Sequence, residues 1–185
     1  MSVFYRRISR VFATFLAFSA IVFPAAAEQK FVVFDLNAAI AQSKAGKSMG
    51  SQLENQMKVV ADEAQKLDES LAGQLEKLQE QRSLMAPDAL QSKAEELRLE
   101  ELRKKQELSK RQRAIQAGGQ KAAQEILKVA REELAAIAKE RNATLVIRRE
   151  AIVVNSPGLD VTKEVVIAMD KRLSSVKVKP IEVKE

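Results

Sequence analysis

The chain has 185 residues with 31 basic and 25 acidic side chains, and it contains neither histidine nor cysteine. That composition excludes thiol nucleophiles, histidine bases and the nitrogen–sulfur ligand sets of zinc, copper or iron–sulfur sites. No cofactor or metal is expected, and the chain does not read as an enzyme.

Taken from the start, Arg6, Arg7 and Arg10 are followed by an apolar run over residues 11–23, then Pro24 and the small residues Ala25-Ala26-Ala27. This is the pattern of a secretory signal peptide over residues 1–27, cleaved between Ala27 and Glu28. The run is short for a bilayer span. Without the three leader arginines, 28 basic residues face 25 acidic ones, and the net charge falls from +6 to +3. Tyr5 and five of the seven phenylalanines lie in the leader, which leaves Phe31 and Phe34 as the aromatic residues that follow. A mildly basic chain without aromatic platforms is poorly suited to nucleic acid, and none is expected as a partner.

Phe31-Val32-Val33-Phe34-Asp35 is apolar on both faces and reads as a buried strand. Residues 37–42 are expected to form a short helix capped by Asn37, and Ser43-Lys44-Ala45-Gly46-Lys47 redirects the chain. Ser48 or Ser51 is the expected cap of the long arm that follows, Ser51 with Glu54 in a capping-box spacing.

Residues 48–141 read as two long helices folded back at Ala86-Pro87-Asp88. On the first, Met57, Ala64, Leu71, Leu78 and Met85 recur every seven residues, with Leu53, Val60 and Leu67 at the intermediate offset. That is the seam of a helix packed along a narrow stripe. The seam turns polar at Gln74 and Gln81, and on the returning helix it is interrupted by Glu101 and Lys104. Pro87 lacks the amide of a continuing helix and pushes Ala86 out of helical geometry, so the reversal belongs there. Between Glu54 and Arg82 there are four basic and seven acidic residues; from Lys93 to Arg141 there are thirteen and nine, which suits antiparallel pairing. Gly73 and Gly118-Gly119 interrupt the arms, either for close packing or as hinges.

Residues 144–148 and 151–155 are rich in β-branched side chains and read as a hairpin about Arg149-Glu150. Ser156-Pro157-Gly158 ends it, and Asp160 or Thr162 is expected to cap a last helix with the stripe Val166, Met169 and Leu173. Residues 174–185 read as a flexible tail. The fold class is therefore α+β: a discontinuous association unit over 28–47 and 142–173, with the helical hairpin inserted into it. Three short strands and one helix bury too little to stand alone and leave two sheet edges open, so oligomerisation through this unit is expected. Phe31, Val33, Phe34, Leu145, Ile147, Ile152 and Val154 are the candidate interface residues.

The leader, the strand running into residues 37–43, the charged hairpin and above all Asn155-Ser-Pro-Gly-Leu-Asp160-Val-Thr162 resemble the Skp/OmpH family of periplasmic chaperones. The resemblance implies a homotrimer shaped like a jellyfish. Its β-rich body joins the subunits, and three helical tentacles enclose a cavity holding unfolded outer-membrane proteins without nucleotide. Arg98, Arg103, Lys104, Lys105, Lys110, Arg111 and Arg113 are the candidate client-binding residues, because Glu107 is the sole acid between Glu101 and Glu125. The plainer reading is a solvated face with pairs such as Glu100–Lys104 and Glu101–Lys105. Leu75, Leu99 and Leu102, partly off the seam, are expected to add apolar contacts. The alternative function is a structural coiled-coil envelope or scaffold protein without client binding. Peripheral contact with membrane lipids is left open.

Overall fold

The computed structural model describes residues 30–154 and 158–182. The expected leader, its cleavage point at Ala27 and Glu28, and the expected stop at Ser156-Pro157 lie outside the described residues.

Strand β1 (Phe31–Phe34) is the hub, with Val32, Val33 and Phe34 buried. Strand β2 (Leu145–Arg148) lies parallel to it, Phe31 opposite Leu145 and Phe34 opposite Arg148. Val33 is tied in addition to the chain around Asp160: its N–H donates to Leu159 O at 2.8 Å and its carbonyl accepts from Val161 N at 3.0 Å. Parallel strands need a long crossover. Here that crossover is the whole helical excursion: α1 (Leu36–Gln42), α2 (Lys44–Glu80) and α3 (Pro87–Glu140).

Among the described residues the expected β-hairpin does not form. Residues 149–151 make a single 3-10 turn, and residues 152–154 do not pair. A two-residue hairpin loop needs positive φ at its centre, which Arg149-Glu150 resists, and β2 finds its partner in β1 instead. The expected three-stranded sheet is thus two-stranded, supplemented by the Val33–Asp160 bridge.

The helix starts also differ from expectation. Asp35, not Asn37, caps α1, its carboxylate accepting from Ala38 N at 2.8 Å. Ser43, not Ser48 or Ser51, caps α2: its hydroxyl accepts from Gly46 N at 3.1 Å and donates to Ile40 O at 2.9 Å. The serine is fully buried at the elbow, so its hydroxyl is better placed than those of Ser48 and Ser51, which lie one and two turns into the helix. Before α4 (Thr162–Arg172) the cap position is Val161, while the Asp160 carboxylate reaches over to accept from Thr162 N at 2.9 Å.

At the far end, Ala86 is extended and Pro87 opens α3, as the missing amide requires. At about 1.5 Å per residue, the 37-residue α2 and 54-residue α3 extend about 55 and 80 Å.

Within the segment read as a flexible tail, residues 176–181 are packed. Val176 and Val178 are buried within the main core cluster, together with Ala122, Ile126 and Ala130 of α3 and Val165 and Met169 of α4. The base core therefore includes the roots of both arms and the last strand-like segment. Alternating valines with flanking lysines carry too weak a signal in sequence to distinguish a loose end from a strand lying in a groove.

Candidate functional site

Packing along the hairpin is uneven. Near the base, Ile115, Ala122 and Ile126 are buried; toward the tip, Leu71, Leu78 and Leu97 are. Between them, α2 has no buried side chain from 61 to 70 and α3 none from 98 to 114. This is where Glu101 and Lys104 break the apolar stripe.

Charge pairs bridge that middle section. Arg111 reaches Glu63 across the arms at 2.6 Å, and Lys105 sits between Glu101 at 2.7 Å and Asp68 at 3.6 Å. Hydrogen bonding and charge from Glu101, then charge from Asp68, hold the Lys105 ammonium above its ordinary pKa, so it stays a cation at any physiological pH. Exposed pairs of this kind add little stability each, so the middle of the prong is held loosely.

All seven candidate client-binding residues lie exposed on α3. Lys104 pairs with Glu107 at 3.6 Å rather than with Glu100. Arg103 donates to Leu99 O and Arg113 to Ser109 Oγ. Arg98 and Lys110 form no ion pair among the described residues. Lys105, Lys110 and Arg113 come together with Leu102 along an open cleft of 420 Å³. A second, of 310 Å³, opens between the arms at Val60, Ala64 and Leu108. Leu75, Leu99 and Leu102 are about half exposed, so apolar and cationic groups share this surface. Such a surface offers many weak contacts to a long acidic or apolar chain and no enclosed pocket for a small molecule.

At the base, the seven candidate interface residues divide. Phe34 belongs to the protomer's own core cluster, and Val33 is fully buried within the protomer. Phe31, Leu145 and Val154 are exposed, and Ile147 and Ile152 are half-buried. Val153, at 101% exposure, and Val146 are exposed apolar residues of the base as well. Neither was singled out in sequence, because a hairpin reading turns alternate residues inward.

The family model of the outer membrane proteins termed OmpH-like matches residues 30–169. The chain belongs to the OmpH-like family. Among solved structures, an OmpH-like protein of Caulobacter crescentus CB15, assigned as a candidate outer membrane chaperone, shares the fold. It is 21% identical with a TM-score of 0.78, over 84% of this chain and 92% of that one. No curated protein matches this sequence. The OmpH-like match ends before α4 does, so the groove-bound segment at 176–181 lies beyond it. Among the described residues, no helix of this OmpH-like chain is long and apolar enough to cross a membrane.

Proposed function

We propose that this protein is an ATP-independent holdase chaperone of the periplasm. It binds unfolded outer-membrane proteins in a cavity between the helical arms of a homotrimer and prevents their aggregation. The observation that carries this reading is the mid-arm surface. There Leu102 stays exposed beside the cations Lys105, Lys110 and Arg113, and Leu99 beside Arg103 in a neighbouring cleft, on a prong too thinly packed to bury them. An unfolded chain held at many such points gains avidity from enclosure, while each contact stays weak enough to release. The cationic lining adds long-range attraction for acidic clients.

Trimerisation is supported by the exposed apolar residues of the base, Phe31 paired with Leu145 at the start of a two-stranded sheet and Val153 and Val154 after it in the chain. Membership of the OmpH-like family supports the chaperone role and the periplasmic location.

The deciding experiment dilutes a urea-unfolded outer-membrane barrel into buffer with and without the purified protein, in the absence of ATP. Suppressed light scattering at equimolar trimer is the expected result. Unchanged scattering would favour a coiled-coil scaffold without client binding.

A further inference from the structure

The segment after α4 lies on the roots of both arms and is held there chiefly through its backbone. The Gln52 side-chain amide donates from Nε2 to Val176 O at 2.7 Å, and its Oε1 accepts Val178 N–H at 3.0 Å. One helical turn on, Gln56 Nε2 donates to Val178 O at 2.9 Å. Four helical residues rise about 6 Å, and two extended residues about 6.6 Å, so glutamines at i and i+4 keep step with alternate residues of a strand. From α3, Ala114 O accepts Ile181 N–H at 2.9 Å. Gly118 makes room: a Cβ there would lie 2.1 Å from Lys179 O.

Apart from two buried valines, this groove reads main-chain groups. Val176 and Val178 point inward while Lys177 and Lys179 are exposed, the period-two alternation of an amphipathic strand. Its hydrogen bonding is also incomplete. Gln56 Oε1 is buried with no partner among the described residues. Continuing the register set by Gln52, the N–H due to meet it belongs to residue 180, which is Pro180 and has none.

We infer that the groove between Gln52, Gln56 and Gly118 is a binding site for extended peptide of alternating apolar and polar residues. The chain's own residues 176–181 fill it as a displaceable occupant. That alternation is the pattern of a barrel strand. Naming unfolded barrel strands as the competing ligand rests on the holdase reading above, whereas the site itself does not. A ligand with an N–H at the position of Pro180 completes the bond the tail leaves open, so it competes for the groove better than a peptide that keeps proline there.

The test uses the full-length chain carrying Val176→Asp and Val178→Asp, which releases the tail without altering Gln52, Gln56 or Gly118. The probe is a fluorescent peptide of residues 174–182. The released variant should bind it at least about tenfold more tightly than the unaltered chain, and Gln52→Ala or Gln56→Ala in that background should weaken binding about threefold or more. The Pro180→Ala peptide should bind about threefold to tenfold more tightly than the same peptide N-methylated at that residue. Equal binding by released and unaltered chains, or by the two peptides, overturns the proposal. Should the released variant lose its helical circular dichroism, amide exchange in the unaltered chain decides. Excess Pro180→Ala peptide should then accelerate exchange at Val178 and Ile181, and no acceleration overturns the site. A chain that suppresses barrel aggregation yet binds no peptide sinks this inference alone. One that binds peptide yet suppresses nothing sinks the holdase reading and leaves the site standing.

Discussion

The hydroxyl of Thr162 accepts the backbone N–H of Asp35 at 3.0 Å, across 127 residues of sequence. Asp35 follows β1 and caps α1, while Thr162 opens α4, so this bond closes the base around the root of the hairpin. Replacing Thr162 by Val keeps the shape and leaves the Asp35 N–H without its acceptor. Thermal melting should show a loss of about 1–3 kcal/mol.

Acid should weaken the same corner. Burial on its own raises the Asp160 carboxyl, but hydrogen bonds from Thr162 and the ion pair with Arg149 outweigh it and hold the group below its ordinary value of 3.8. A depressed carboxylate contributes stability that is present above the ordinary value and lost as pH falls through the lowered one. Asp160→Asn should therefore melt below the parent at pH 7, with the gap narrowing as pH falls below the ordinary carboxylate value. A constant gap across that range would show that the charge is irrelevant.

The glycines separate by what surrounds them. At Gly46 a Cβ would lie 1.8 Å from Ile40 O, inside the elbow capped by Ser43, whereas at Gly73 it would meet nothing within 4 Å. Gly46→Ala should cost more than about 3 kcal/mol or prevent folding. Gly73→Ala should add about 0.5–1 kcal/mol, since it only improves helix propensity. Gly119 faces Leu53 at a would-be 2.8 Å, and Gly118 faces the tail backbone, so close approach accounts for this pair without a hinge.

Charge reversal on the open cleft should reduce holding without unfolding the chain. Lys110→Glu with Arg113→Glu alters exposed side chains and leaves the Lys105–Glu101 and Arg111–Glu63 pairs in place. Suppression of barrel aggregation should need several-fold more protein, and its sensitivity to salt should fall. Circular dichroism should be unchanged.

Association through the base can be broken at Leu145 and Val154, both exposed in the protomer. The parent should scatter light as three times the chain mass, and Leu145→Asp with Val154→Asp should scatter as one chain at micromolar concentration. A parent already monomeric would remove the cavity on which the proposed function depends.

Much of the arm was legible because helical seams are local. Leu71, Leu78 and Ile115 repeat at helical spacing and are buried, and Pro87 ends one helix and starts the next by removing an amide. The exposed Leu75, Leu99 and Leu102 could be picked out for the same reason, as apolar residues partly off the stripe. The base was less legible. Residues 144–155 have the composition of two strands, but their pairing depends on which edge is open, and β1 offers one from more than a hundred residues away.

Sequence alone determined the long paired helices, their reversal and the placement of cations on the returning arm, since each follows from spacing and proline chemistry within a few residues. Tertiary structure decided the parallel sheet, the Ser43 elbow and the seating of Val176 and Val178 between the arms. Those depend on partners distant in sequence, where the free energy comes from filling a shared core and satisfying buried amides, and no local pattern records which groups will meet.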